Sequence, residues 1–247
     1  MNQSNLWSLR LGFSGKQSQK INSIGIEKFL KESFYAPFEN KIPYCLIEDP
    51  KTLSELKDFR EKVKNTTSEE GKKALKNQIK NSIELRKWWI NEIQKQEFPL
   101  REKMVLFWHN HFVSTSQKVK VNWWIYQHNQ ILRENAFGNF RQLTKIMIQT
   151  NAMVRYLDNT DNRKGKINEN LSRELLELFT LGIGNYTESD IKNGAKALAG
   201  LGLGENEAKY RAFFEDNDTI TYFGNTGNFT ANDLVDLIFD QPNTLYF

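Results

Sequence analysis

Cysteine, proline and long apolar runs are all scarce in this sequence of 247 residues. The single cysteine, Cys45, excludes an internal disulfide and a metal site made of cysteines alone, and we expect it to be a small buried hydrophobe. No apolar run approaches the roughly 20 residues that cross a membrane, and the N-terminal segment lacks the apolar core of a signal peptide. As given, the chain is expected to be soluble, with any leader lying outside it.

An excess of one charge is also lacking, because 34 basic and 30 acidic side chains leave a net charge of only +4. No basic stripe stands out, so no nucleic acid is expected as a partner. The hydrophobic share of 39% is sufficient for a sizeable core. The length allows one large or two modest domains. We predict a single helical domain over 1–247, with a charged helical arm at about 54–87.

The most informative stretch runs from Lys166 to Glu188, KINENLSRELLELFTLGIGNYTE. One apolar helical stripe is formed by Leu171, Leu175, Leu178 and Phe179. Asn168 is the predicted N-cap, and Gly182 and Gly184 suit the left-handed turn that ends a helix. The stretch therefore predicts a helix that ends at a glycine corner.

Capping-box spacing marks three other helix starts, at Thr67 with Glu70, Thr187 with Asp190, and Thr230 with Asp233. Helical periodicity predicts helices near 24–34, 54–65, 69–96, 100–115, 121–135, 139–149, 169–181 and 188–199. Two short strands, 210–214 and 219–223, are expected to form a hairpin. The glycines at 200, 202 and 204 alternate but lack dinucleotide-loop spacing. The predicted fold class is mainly α, a multi-helix globular bundle with a small β-hairpin near the C-terminus.

The charged residues of the 169–181 helix allow two interpretations. Glu169, Arg173 and Glu177 share one face and would form an exposed ion-pair ladder. Alternatively, Glu169, Asn170 and Glu174 would lie at the mouth of a pocket, with Arg173 as their charge partner.

Two of the three histidines lie in KMVLFWHNHF, from Lys103 to Phe112. On a regular helix His109 and His111 are about 200° apart, so they cannot both face one site. Each is either a core histidine with one hydrogen-bond partner or a metal ligand or proton-transfer group. His128 is expected on the surface.

The segments FWHNHF, RENAFGNFRQL, YLDN, NENLSRELLELFTLGIGNYTE and FGNTGNF closely resemble a bacterial family of unknown function, DUF1800. The resemblance runs from about Leu6 to the C-terminus. It implies a mostly helical protein, often exported in envelope-rich bacteria and often encoded beside a sulfatase-like partner. Members are commonly longer, so the chain resembles an N-terminal portion. It also departs from the pattern at Phe214-Glu215-Asp216, where relatives often have His-Asp.

If the family signature encodes chemistry, its polar members should converge. Under that hypothesis, His109, His111, Glu169 and Glu174 would be the catalytic residues. Asn110, Asp158, Asn168, Asn170 and Arg173 would bind and orient the substrate. His109, His111 and Glu169 would be the ligands of a divalent metal, should one be bound.

Two functional classes stay open on this basis. One is a hydrolase that acts on an envelope or extracellular polymer, with the histidines and carboxylates as acid, base or metal ligands. The other is a non-catalytic helical scaffold or binding module that works with a partner enzyme. The sequence also predicts that the helix containing Lys103–Phe112 contacts the helix containing Asn170–Leu181, since both are strongly apolar.

Overall fold

The computed structural model describes residues 2–64 and 68–244. These residues are 62% helical and 5% strand, which confirms the mainly α prediction. The α-helices of the described ranges are α1 Gln3–Leu11, α2 Ser18–Ile24, α3 Ile26–Tyr35, α4 Leu53–Lys64, α5 Glu69–Lys95, α6 Leu100–His111, α7 Ser116–Val119, α8 Asn122–Glu134, α9 Phe140–Ile148, α10 Asn151–Tyr156, α11 Asn170–Glu174, α12 Glu188–Ala197 and α13 Ala231–Phe239. A π-helix, Leu175–Thr180, directly continues α11.

Local capping chemistry explains where several helices begin and end. Complete capping boxes form between Thr187 and Asp190 at α12 and between Thr230 and Asp233 at α13. Both were predicted, and both are confirmed. The predicted Thr67 cap lies outside the described residues; α5 begins after Ser68, whose hydroxyl accepts from the backbone N–H three residues on.

Two small antiparallel hairpins replace the single hairpin that was predicted. Strand β1, Leu201–Gly202, pairs with β2, Lys209–Tyr210. Strand β3, Ile220–Tyr222, pairs with β4, Asn225–Gly227. The predicted pairing of 210–214 with 219–223 is therefore wrong. The tight turn at Phe223 and Gly224, both with positive φ, lets β3 pair with the segment that follows it instead.

The chain forms two compact units whose segments alternate along the sequence. The first comprises Met1–Asp49, Lys62–Asn110 and Asn129–Phe137, and the second comprises Pro50–Glu61, His111–His128 and Gly138–Phe247. The single-domain expectation stays a prediction.

A buried ion pair lies in the first unit. Glu102 and Arg133 are 2% and 3% exposed, and the Arg133 Nε atom lies 2.6 Å from Glu102 Oε1. Trp89 Nε1 donates to Glu102 Oε2 at 3.1 Å, so both carboxylate oxygens have partners. The predicted burial of Cys45 is wrong, since this residue is only half-buried. It lies in the short 3-10 helix Tyr44–Leu46, whose buried residue is Leu46.

Long helix α5 crosses most of the segment predicted to be a charged arm. Its surface is mainly exposed, with Gly71 and Leu85 as its buried residues. Three exposed apolar side chains, Leu75, Ile79 and Ile83, follow one another at i, i+4 spacing. The arm is therefore solvated, as its alternating charges indicate, but it carries an apolar stripe as well.

The second unit has an apolar cluster formed by Leu56, Val119, Val121, Trp124 and Ala152. The π-helix belongs to the same unit, where Leu176 and Phe179 are buried. Leu178, expected on the inward stripe, is 57% exposed. The π-helix has more residues per turn than an α-helix, so Leu178 rotates off the face that a period of 3.6 predicts.

Candidate functional site

The candidate site centres on the end of the π-helix, where hydrogen bonds depart from α-helical geometry. Thr180 Oγ1 donates to Leu175 O at 2.6 Å, and the backbone N–H groups of Leu181 and Gly182 both donate to Leu176 O. Gly182 has a φ of +78°, as expected of a glycine that ends a helix. These bonds occupy the carbonyls of the widened turn and leave Phe179 O available to another partner.

His111 supplies that partner. Its Nε2 lies 3.0 Å from Phe179 O, and because a carbonyl oxygen only accepts, Nε2 carries the proton. The imidazole is ringed by Phe112, Phe140 and Phe179, with ring centroids 4.7 to 6.0 Å away. Burial lowers the pKa of His111, and the carbonyl partner opposes this shift. The predicted contact between Lys103–Phe112 and Asn170–Leu181 is thereby confirmed at His111 and Phe112.

His128 is fully buried, so the surface prediction for it is wrong. Its Nε2 lies 2.8 Å from Phe112 O. Phe112 follows the last residue of α6, where helix carbonyls lack an intrahelical partner. The imidazole thus satisfies a helix-end carbonyl from another helix, and no local signal in YQHNQ reveals that role.

His109 lies in the first unit, where its ring packs against Trp89 at a centroid distance of 5.0 Å. Burial lowers the pKa of His109. The adjacent Asn110 is exposed. This environment suits a neutral imidazole that packs as an aromatic ring.

Arg173 joins two carboxylates. Its guanidinium donates to Glu169 at 3.2 Å and to both carboxylate oxygens of Glu188 at 3.0 and 3.1 Å. The ladder interpretation predicted Glu177 as the third member, but Glu177 accepts from the Tyr186 hydroxyl at 2.9 Å. Both pairs of Arg173 are partly solvated, so they stabilise the corner only modestly.

Glu174 is the carboxylate with the most unusual environment in this segment. Desolvation first, and then the neighbouring charge of Glu177, raise the pKa of Glu174, with Arg173 acting in the opposite direction. A raised carboxyl pKa is what a general acid requires.

Asn168 lies just before α11 and contacts Asp158, which begins the loop that leads to this helix. Asn168 Oδ1 accepts from Asn170 N at 3.0 Å, but α11 begins at Asn170 and its N-cap residue is Glu169, so the predicted N-cap is one residue too early. Its Nδ2 donates to Asp158 O at 3.3 Å. The Asp158 carboxylate pairs with Lys118 at 2.7 Å. The predicted binding residues at this position therefore hold the loop and the helix start.

Two buried asparagines that the sequence analysis missed lie behind this loop. Asn159 donates to Leu198 O at 3.0 Å and to Leu201 O at 2.8 Å. Asn162 donates to Asn159 Oδ1 and to Ala195 O, and accepts from Asn168 N. Only the density of asparagine in DNTDNRKGKINEN hinted at such a network.

A family model described as "Protein of unknown function (DUF1800)" matches residues 6–247. The chain belongs to the DUF1800 family. No curated protein and no solved structure matches it.

Among the described residues of this DUF1800 chain, no helix is long and apolar enough to cross a membrane. The same residues contain no group of three or more histidine, cysteine, aspartate or glutamate side chains placed to hold a metal ion. The ligand set of His109, His111 and Glu169 stays a prediction, as does the convergence of the histidines with the acidic residues.

Proposed function

We propose that this DUF1800 chain is a non-catalytic helical scaffold or binding module that works with a partner enzyme. The observation that carries the proposal is the use of the His111 and His128 imidazoles. Each places Nε2 at hydrogen-bond distance, 3.0 and 2.8 Å, from a backbone carbonyl near a helix end. Imidazoles that hydrogen-bond to backbone carbonyls in this way connect segments of the second unit, which is a structural role and not a catalytic one.

The two histidine hydrogen bonds share the segment His111–Phe112, which further supports the scaffold proposal. His128 bonds to Phe112 O, Phe112 adjoins His111, and His111 bonds to Phe179 O at the π-helix. Three separate segments of the second unit are therefore tied together by two imidazoles. The family resemblance supplies a candidate partner, a sulfatase-like enzyme encoded nearby.

Paired variants at His111 test the proposal. His111→Ala removes the donor to Phe179 O and should lower the free energy of unfolding by about 1–3 kcal/mol, the cost of an unsatisfied buried polar group. His111→Gln retains an N–H donor and should recover part of that loss. Urea unfolding followed by tryptophan fluorescence measures both.

Metal analysis of the same purified proteins distinguishes the scaffold proposal from the alternative that the protein is a metalloenzyme. Under the proposal, His111→Ala changes stability and leaves metal content unchanged. A stoichiometric metal in the parent protein that His111→Ala removes would overturn the scaffold proposal. Co-purification with the sulfatase-like protein then tests the partner.

A hydrolase acting on an envelope polymer is the second candidate, and the environment of Glu174 favours it. Its carboxyl has a raised pKa and lies near the charge of Glu177, as expected of a proton donor. Envelope polysaccharide incubated with the parent protein and with Glu174→Gln tests this candidate. Product formed by the parent but not by the variant would support it.

A further inference from the structure

The second unit contains a pocket of about 110 Å³ between the loop after α10 and the first hairpin. Its lining includes Arg163 and Arg211, the hydroxyl-bearing Thr160, and the glycines Gly200 and Gly202. We propose that this pocket binds a phosphate group. The proposal does not depend on the scaffold role, because none of these residues takes part in the histidine contacts.

Available donors are the first argument. Arg211 Nη2 donates to Leu203 O at 3.1 Å, which uses one of the five N–H donors of its guanidinium. The Arg163 guanidinium lies 5.9 Å from the centre of the Phe214 ring, which packs against it without accepting a conventional hydrogen bond. Within residues 2–64 and 68–244, neither arginine forms an ion pair. Two guanidinium groups without carboxylate partners at one pocket favour an anion.

Thr160 adds a neutral donor to the two cations. Its Oγ1 is buried and has no hydrogen-bond partner among the described residues. An unsatisfied buried hydroxyl costs free energy unless a ligand or solvent pairs with it. A phosphate oxygen could accept from this hydroxyl while other oxygens accept from the arginines.

The backbone holds the pocket wall in place. Lys164 N donates to Phe214 O at 2.9 Å, and Arg211 N donates to Gly200 O at 3.0 Å. A Cβ built on Gly202 would lie 3.6 Å from Arg211 Nε, so the guanidinium packs directly over this glycine. The arginines are therefore attached to segments that are already joined, which lowers the ordering cost of binding.

Titration calorimetry with inorganic phosphate, against chloride at equal ionic strength, tests the site in the whole chain. We expect saturable binding with a dissociation constant on the order of 1 mM, because a few charge-assisted hydrogen bonds provide about that affinity. Arg163→Ala and Arg211→Ala should each weaken binding about tenfold. Thr160→Val, which has nearly the same shape, should weaken it about threefold.

Arg86→Ala is the matched control, because Arg86 is also exposed and donates to one backbone carbonyl, Ser82 O, at 3.3 Å. It should leave phosphate binding unchanged. Glycerol phosphate in a parallel titration distinguishes a carried phosphate group from the free ion. Absence of saturable binding by both ligands, or equal weakening by Arg86→Ala and Arg211→Ala, would overturn the proposal. Circular dichroism of each variant confirms that the comparison concerns folded protein.

Discussion

The side-chain amide of Asn162 donates to Asn159 Oδ1 at 3.0 Å, and both residues are almost completely buried. The same Nδ2 donates to Ala195 O at 2.8 Å, near the end of α12. The Oδ1 of Asn162 accepts from Asn168 N at 3.0 Å. One side chain thus links the end of one helix to the loop that begins another, in the part of the second unit that carries the family signature.

Asn162→Asp should destabilise the protein by about 1–3 kcal/mol, because a carboxylate cannot donate to the two oxygens that the amide now serves. Chemical denaturation measures the change. Asn225→Ala is the control, since Asn225 is exposed and, within residues 2–64 and 68–244, its side chain donates to Phe223 O two residues away. Equal losses in the two variants would contradict a structural role for the buried network.

For the Glu102–Arg133 pair, we expect a single substitution to lower the free energy of unfolding much more than a double substitution does. Glu102→Ala leaves Arg133 as a buried unpaired charge and should cost about 3–5 kcal/mol of unfolding free energy. Glu102→Met combined with Arg133→Leu removes both charges and should recover most of that loss. Thermal unfolding of the variants tests this. The exposed pair of Lys72 with Glu69 provides a control, in which Glu69→Ala should cost less than about 1 kcal/mol.

The environment of Glu174 predicts how the folding stability of the protein changes with pH. Because its pKa is raised in the folded protein, folding favours the neutral carboxyl. The stability that Glu174 contributes is fully present below the ordinary glutamate pKa of 4.5 and is lost as the pH rises through the raised value.

Glu174→Gln should therefore gain stability relative to the parent as the pH rises from 4 to 7. Urea unfolding at both pH values gives the difference, and Glu61→Gln serves as an exposed control on α4. A relative stability of Glu174→Gln that does not change with pH would show that the carboxyl is not perturbed.

Substitution of Gly200 by alanine should destabilise the protein both through its left-handed backbone conformation and through a steric clash of the added Cβ. Its φ is +82°, and an added Cβ would lie 2.8 Å from Glu215 N. Gly165 has a similar φ of +77° but open space around the Cβ position. Gly165→Ala should cost about 1–2 kcal/mol for the left-handed conformation alone, and Gly200→Ala clearly more. Melting temperatures compare the two, and equal shifts would contradict the steric argument.

Structural features were predicted most accurately from the sequence where the interactions that determine them are local. The capping boxes at Thr187 and Thr230 and the glycine corner at Gly182 depend on residues within one turn, and the structure contains all three. The helix positions follow for the same reason, since apolar spacing directly reports the buried face.

Features that depend on distant residues could not be predicted. His128 is buried because a carbonyl from the end of α6 needs a donor, and Asn162 is buried because α12 ends beside it. The π-helix also escaped prediction, and the position of Leu178 was wrong as a result. At the candidate site, the helix start near Asn168 was predictable to within one residue, whereas the pocket lined by Thr160, Arg163 and Arg211 depends on tertiary structure.

The alternation of the two units along the chain has a consequence for synthesis and for protein engineering. Residues 50–61 are made before residues 62–110, yet they belong with segments that follow residue 110. During translation, residues 50–61 therefore cannot pack into their unit until the segments that follow residue 110 have been synthesised. No single cut in the gene can separate the two units, so obtaining either one alone requires rejoining its segments with new linkers.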